Sequence, residues 1–570
     1  MKNLKYLLVG IILIVFGCKK TDDFLTQYPL DELTDDTYWT SEGNVKTFAY
    51  AFYPTFFPGY ASGFDLTWGG YFSGESLNDD FAPTTPTVLT RNAPTSATGT
   101  AWTFTNIRRA NILIDRIKRV PMSAEAKANW TGVGRFFRGL EYANKVKAYG
   151  DFPWINTVLA EDDNAGLYKP RDSRTLVMDS VLADFKYAAA NVRVVDAAVG
   201  PQKLIVNRDV VLAFMSRVFL FEGTWQKYQN NNAAKANEYL EAAKFAANEV
   251  MTKGGYTLAA DYRKLFNSLE LSNNTEIILY RRYQTGLLTH SLNSYVNKEP
   301  QTGVSKNAVE AYLASDGLPI SISPLYQGDK TINNVMANRD PRLRATITND
   351  IRLPGKVGNY STSGYSTLKF LNEDIKDLTN GNSSLNDTQA PVIRLGEVLI
   401  NYAEACAELG TLTQTDLDNS VNKLRKRANI NMPNLQVVGG LPAVNNVVYN
   451  DPKRDPSVPA MIWEIRRERR VELMMEGFRN SDLRRWKKYE YLDTQANPDI
   501  NLGAWINKAD YPGTTVTIQN NATQGYIIPA PRAETQRIFN DPRVYLSPLP
   551  IDQIKLYKDQ GVDLKQNPGW

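Results

Sequence analysis

From Trp102 to Tyr489 the apolar residues of this chain keep returning at helical spacing, and that rhythm constrains the fold more than any other feature. Ile107, Ala110, Ile114 and Ile117 share one face. Val133, Phe136, Phe137, Leu140 and Ala143 share the next, and this stretch stops at Tyr149-Gly-Asp-Phe-Pro153. Asp172 or Ser173 is placed to cap Leu176–Tyr187, and Asn207 to cap a stretch carrying Val211, Phe214, Met215, Val218 and Phe221. Ala234–Met251 pairs with it and ends at Gly254-Gly255. Helices of ~15–20 residues joined in pairs by short turns predict tetratricopeptide-like hairpins, although no strict repeat of ~34 residues recurs and generic helical hairpins fit the same spacing.

The rest of the chain is organised around these helices. Ser41 opens an amphipathic stretch with Val45, Phe48, Ala49 and Phe52, which Pro54 and Pro58 end. Residues 59–100 form a long loop, too aromatic for a linker, and such loops are often functional. Helical repeats are expected over about 102–260 and 391–489, with a loop-rich insertion over about 261–390 containing one short strand at Glu276–Tyr280. Residues 429–460 read as a further loop. Ile462–Met475 reads as a charged helix with an apolar stripe of Val471, Met474, Met475 and Phe478. Residues 490–570 read as irregular until Asp552–Gln560.

Scarce residues exclude whole chemistries. Two cysteines, Cys18 and Cys406, and one histidine, His290, cannot build a Cys/His zinc site or a disulfide framework. A Ser-His-Asp mechanism would have to run through His290, which reads more simply as an exposed polar residue. No phosphate-binding GxxxxGK loop is present, and Gly132-Val-Gly134 lacks a third glycine because Phe137 stands there. With 65 Lys and Arg against 61 Asp and Glu, the net charge of +4 over 570 residues leaves no footprint for nucleic acid. No catalytic residue, metal ligand or cofactor is assigned. The adjacent carboxylates Asp79-Asp80 leave a glycoside hydrolase as a remote alternative.

The N-terminus reads as an address. Lys2 and Lys5 precede 11 apolar residues, Tyr6–Phe16, about half the length of ~20 that spans a bilayer. Gly17-Cys18 follows, as a bacterial lipoprotein requires, although Phe16 stands where a small residue is usual. Residues 1–17 are expected to be a signal peptide, Cys18 the lipidated residue, and 18–40 the lipidated terminus and tether. Lys19-Lys20-Thr21-Asp22-Asp23 resembles a surface-export signal of Bacteroidetes lipoproteins and equally suits a solvated tether.

Two segments carry a family resemblance. Glu468-Arg-Arg-Val-Glu-Leu-Met-Met-Glu476-Gly-Phe-Arg479-Asn-Ser-Asp482-Leu-Arg-Arg485-Trp486 resembles the signature of SusD/RagB-type nutrient-binding lipoproteins. Tyr545-Leu-Ser-Pro-Leu-Pro550 with Leu564-Lys-Gln-Asn-Pro-Gly-Trp570 looks like their chain end. Phe137–Leu140 through Pro153, Arg394–Ala405 and Asn422–Ala428 match as well. The resemblance implies a mainly α fold over 41–570, with tetratricopeptide-like hairpins packed against a loop-rich second half with few short strands. It implies a lipid-anchored protein on the outer face of the outer membrane, which caps a SusC-like TonB-dependent transporter and captures oligosaccharides or, in some members, peptides.

The charges of the signature themselves suggest structure. Glu476, Arg479, Asp482 and Arg485, with Trp486, are placed for an ion-pair network between the two halves, against a lesser reading as ligand contacts. Sugars need flat aromatic faces with polar groups beside them. The early loop offers Trp68, Tyr71, Asp79, Asp80 and Trp102, and the insertion offers Tyr283 and Tyr295. Either Trp could equally be core, and Asp79-Asp80 could be a turn.

Overall fold

Polar residues ahead of several apolar runs cap their helices in the computed structural model, which describes residues 35–65, 77–87, 89, 92–195, 203–532 and 537–570. After α1 (Glu42–Tyr50) and α2 (Thr105–Arg116), the long α3 (Ala124–Tyr149) starts where Ser123 Oγ accepts from Ala126 N at 3.0 Å. Helix α4 (Arg174–Asn191) is capped by Ser173, while Asp172 instead accepts from Trp154 N at 2.7 Å. Asn207 caps α5 (Arg208–Tyr228), and α6 (Ala233–Lys253) runs to Gly254. Each of α2 to α6 packs on the next, so the expected hairpins form. The glycines of α3 serve this packing. A Cβ on Gly132 would stand 2.8 Å from Val192, and one on Gly134 would stand 2.9 Å from Ile114.

Of four apolar clusters among the described residues, two are large. One runs from Trp39 through the hairpins to Cys406 on α7 (Leu395–Glu408). The other holds the insertion and the C-terminal part, from Tyr60 to Ile527. Strand β1 (Phe81–Ala82) pairs with β3 (Gly303–Val304), which ties the early loop to the insertion. Strand β2 (Ile277–Arg281) pairs antiparallel with β4 (Ala390–Arg394), so the insertion leaves and returns through neighbouring strands.

The segment 429–460 differs from the expected loop. It holds a three-stranded meander of β5 (Gln436–Val438), β6 (Leu441–Val444) and β7 (Val447–Val448). Gly439-Gly440 and Asn445-Asn446, all at positive φ, make the two tight turns that such hairpins demand. The irregular C-terminal part likewise contains a small hairpin, β8 (Trp505–Asn507) with β9 (Gln524–Tyr526). Helices α8 (Ala460–Glu472), α9 (Arg479–Arg485) and α10 (Ile551–Asp559) complete the longer elements.

A buried charge network joins the parts. Arg342, Lys369, Arg394, Arg425 and Arg427 face Glu276, Asp340, Glu468, Glu472 and Glu476, five cations against five carboxylates. Charges taken out of water at such cost persist only when paired and hydrogen-bonded. Among the described residues, no helix is long and apolar enough to cross a membrane.

Candidate functional site

The sequence-derived candidates fall in three kinds of place. Trp68, Tyr71 and Cys18 lie outside the described residues, as do the signal segment 1–17 and the tether up to residue 34. The remaining aromatics are core. Trp102 is 3% exposed, with Phe152 at 4.8 Å and Tyr149 at 5.2 Å between ring centroids, so no face is left for a sugar. Tyr283 is buried and its hydroxyl donates to Ala61 O at 2.8 Å. Tyr295 is buried in the second apolar cluster. His290 is not exposed: it stands edge-on to Tyr283 at 4.6 Å, and burial pushes its pKa down to about 3.

Asp79 and Asp80 are buried ion-pair partners rather than a free acid pair, at 2% and 3% exposure. Arg479 grips Asp79 with a fork at 2.6 and 2.7 Å, and Arg470 donates to Asp80 at 2.7 Å. Burial opposes the Asp79 charge, but Arg470 and Arg479 outweigh it and hold its pKa below the ordinary carboxylate range. Burial, with the Asp79 charge beside it, raises that of Asp80.

The signature residues share this character. Asp482 accepts from Arg469 at 2.8 Å and from Arg485 at 3.0 Å. Arg485 forks onto Glu404 of α7, and Trp486 Nε1 donates to the same carboxylate at 2.8 Å. Glu476 accepts from Arg394 at 2.7 Å and Lys369 at 2.8 Å. The signature thus pins α8 and α9 to α7, to the insertion and to the early loop.

A cleft of about 420 Å³ opens beside this network, between residues 307–321, the loop at 451–456, α8 and the chain around Tyr491. Trp463 and Tyr491 stand partly exposed in its wall, with Ile320 and Pro319 as apolar neighbours. Six cations line it (Lys453, Arg454, Arg466, Arg467, Arg470 and Arg479) against four carboxylates (Asp79, Glu310, Asp451 and Asp455). Trp463 Nε1 donates to Asp451 at 3.2 Å, which fixes the indole. Aromatic faces next to oriented donors suit a ligand with apolar C–H faces and many oxygen acceptors.

Sequence reasoning missed this site. The available signal was Trp463 itself, which lies off the buried stripe of Met461, Ile462 and Ile465. A second cavity, of about 330 Å³, lies between α3, α5 and the turn at Gly477 and contains Lys147. Among the described residues no cluster of three or more His, Cys, Asp or Glu is placed to hold a metal ion.

Known proteins resemble the chain over most of its length. The family model described as the SusD family matches residues 275–570. SusD-like protein P38 of Formosa agariphila is 24% identical over 507 residues, covering 84% of this chain and 90% of that protein. Among solved structures, a SusD-like carbohydrate binding protein from Bacteroides fragilis superposes with a TM-score of 0.65 at 22% identity, covering 91% of this chain and 99% of its own. Surface glycan-binding protein A from Bacteroides fluxus gives a TM-score of 0.59 at 16% identity, covering 93% and 100%.

Proposed function

The chain belongs to the SusD family, and from that premise we propose that it is a cell-surface lipoprotein that captures oligosaccharides and delivers them to a SusC-like TonB-dependent transporter of the outer membrane. The observation that carries the ligand assignment is the cleft, where the partly exposed rings of Trp463 and Tyr491 stand beside a bank of guanidinium donors. An indole held by Asp451 is a ready platform for a sugar ring, and the arginines take its hydroxyls. The names of the solved neighbours, one carbohydrate binding and one glycan-binding, support the same reading. Membrane attachment rests on the sequence: an apolar run ending at Gly17-Cys18 supplies a lipidation site.

Capture rather than cleavage is the reading the carboxylates favour. Asp79 and Asp80 are locked in guanidinium pairs, whereas glycoside hydrolysis needs two carboxyl groups free to protonate and to attack. Calorimetry against a glycan panel, with chromatography of the mixtures, tests the proposal. Binding without new products is expected. Trp463→Ala should weaken the cognate glycan by about thirtyfold or more, as truncating a stacking aromatic costs ~2 kcal/mol. Released products would make the protein an enzyme, and an unchanged affinity in Trp463→Ala would move the site elsewhere.

A further inference from the structure

Resting on that reading, we propose that the cleft selects an acidic saccharide, whose carboxylate or sulfate oxygens are taken by Arg454 and Arg466. The argument starts from what the lining carboxylates already hold. Asp79 holds Arg470 and Arg479, Glu310 holds Lys306 and Lys453, Asp451 holds Arg467, and Asp455 holds Lys488. None of the four is left to compensate a further cation. The carboxylates behind the wall, Asp80, Glu408 and Glu464, are buried and likewise face guanidinium groups.

Arg454 stands outside this pairing. Its Nε donates to Asn450 Oδ1 at 3.0 Å and its Nη1 to the carbonyl oxygens of Asp455, at 3.1 Å, and Val458. Among the described residues it makes no ion pair. Carbonyl and amide oxygens hold its fork in place without cancelling its charge, so a positioned and uncompensated cation faces the cleft. Arg466 adds a second donor. It is 6% exposed, has its guanidinium carbon over the Trp486 ring at 4.3 Å, and shares Glu408 with Lys227 and Tyr228. Its Nε is buried with no acceptor. Arg466 also lines the cleft, and its bond to Glu408 uses Nη2.

A neutral sugar can offer hydroxyl acceptors to both groups but leaves the Arg454 charge unanswered. A carboxylate or sulfate answers it and matches the planar fork of a guanidinium. Trp463 then contributes binding common to acidic and neutral sugars, and Arg454 contributes the discrimination between them.

The test uses matched probes that differ only in charge: oligogalacturonate against its carboxyl-reduced form, and a sulfated galactan oligosaccharide against its desulfated form. Affinities of the full mature chain are measured by calorimetry at low and high salt. The wild type should prefer the acidic member of at least one pair by tenfold or more, with the preference shrinking as salt screens it. The pair that responds distinguishes carboxylate from sulfate. Arg454→Gln should abolish the preference by weakening the acidic member tenfold or more and the neutral partner by a smaller factor, whereas Arg454→Lys should keep part of the preference; matching melting temperatures certify that both variants fold. Equal binding of both members, or a preference that survives in Arg454→Gln, overturns the acidic assignment and leaves glycan capture standing. Silence from every probe, neutral and acidic, overturns both.

Discussion

Glu472 is the point at which the buried network is most exposed to a single change. It ends α8 and is fully buried. Its carboxylate accepts from Arg394 at 2.7 Å, Arg427 at 2.9 Å and Arg342 at 3.1 Å. Glu472→Gln keeps the shape, removes one negative charge and leaves five cations facing four carboxylates. Breaking a buried pair from one side costs ~3–5 kcal/mol.

The electrostatics of the site point to a similar magnitude for the same residue. Burial raises the Glu472 pKa, but Arg427, Arg394 and Arg342 outweigh it and bring it from 4.5 to about 2. At ~1.4 kcal/mol per pH unit this corresponds to roughly 3 kcal/mol. A lowered carboxyl pKa stabilises the folded state above pH 4.5, and that contribution is lost as pH falls toward about 2. Urea unfolding at pH 7 should therefore show Glu472→Gln less stable by about 3 kcal/mol or more, and the gap to wild type should narrow progressively below pH 4.5. Glu373→Gln is the control. It breaks an exposed pair with Arg263 at 2.9 Å, whose glutamate side chain is 48% exposed, so ~0–1 kcal/mol is expected. If Glu472→Gln unfolds at the same urea concentration as Glu373→Gln, the network does not hold the fold and the reasoning fails.

Two further outcomes follow from placement. Trp102→Ala should lower stability by ~3–5 kcal/mol, read by urea unfolding, because it empties a packed aromatic site, and calorimetry should find glycan affinity unchanged; weakened binding at intact stability would return Trp102 to the ligand site. Lipid attachment at Cys18 predicts that Cys18→Ala leaves the protein in the aqueous phase of a detergent partition, and retention with membranes after carbonate washing would refute it.

The helical half was legible because its information is local. Ser173 and Asn207 precede apolar runs at capping distance, and both cap. The glycines of α3 did not fit a phosphate loop, and their meaning lies in Val192, just past α4, and Ile114 on α2, which approach them from elsewhere in the chain. Asp79 and Asp80 were legible as charged residues and not as partners of Arg479 and Arg470, since nothing local pairs positions so far apart. Trp102 was ambiguous for a related reason: a tryptophan before a helix shows its faces covered only once Tyr149 and Phe152 fold back over it. The cleft was missed because its loop wall, at 451–456, has no periodicity, and the meander that precedes it turns on Gly-Gly and Asn-Asn pairs that also occur in plain loops.

The ties from Asp79 to Arg479 and from Asp80 to Arg470 span 400 and 390 residues. Chains are synthesised at ~5–20 residues per second, so the early loop waits roughly 20–80 s before its guanidinium partners exist. Contacts this distant also close slowly once both ends are present. Throughout synthesis the loop carries two carboxylates that stay in water, and its native form is open only to a finished chain. The fold therefore sets its own clock: the N-terminal hairpins can form as they emerge, but the body cannot lock until its last fifth has been made. Under the proposed export as a lipoprotein, the chain would pass a narrow membrane channel extended before it folds, and that delay would hold open the interval in which passage is still possible.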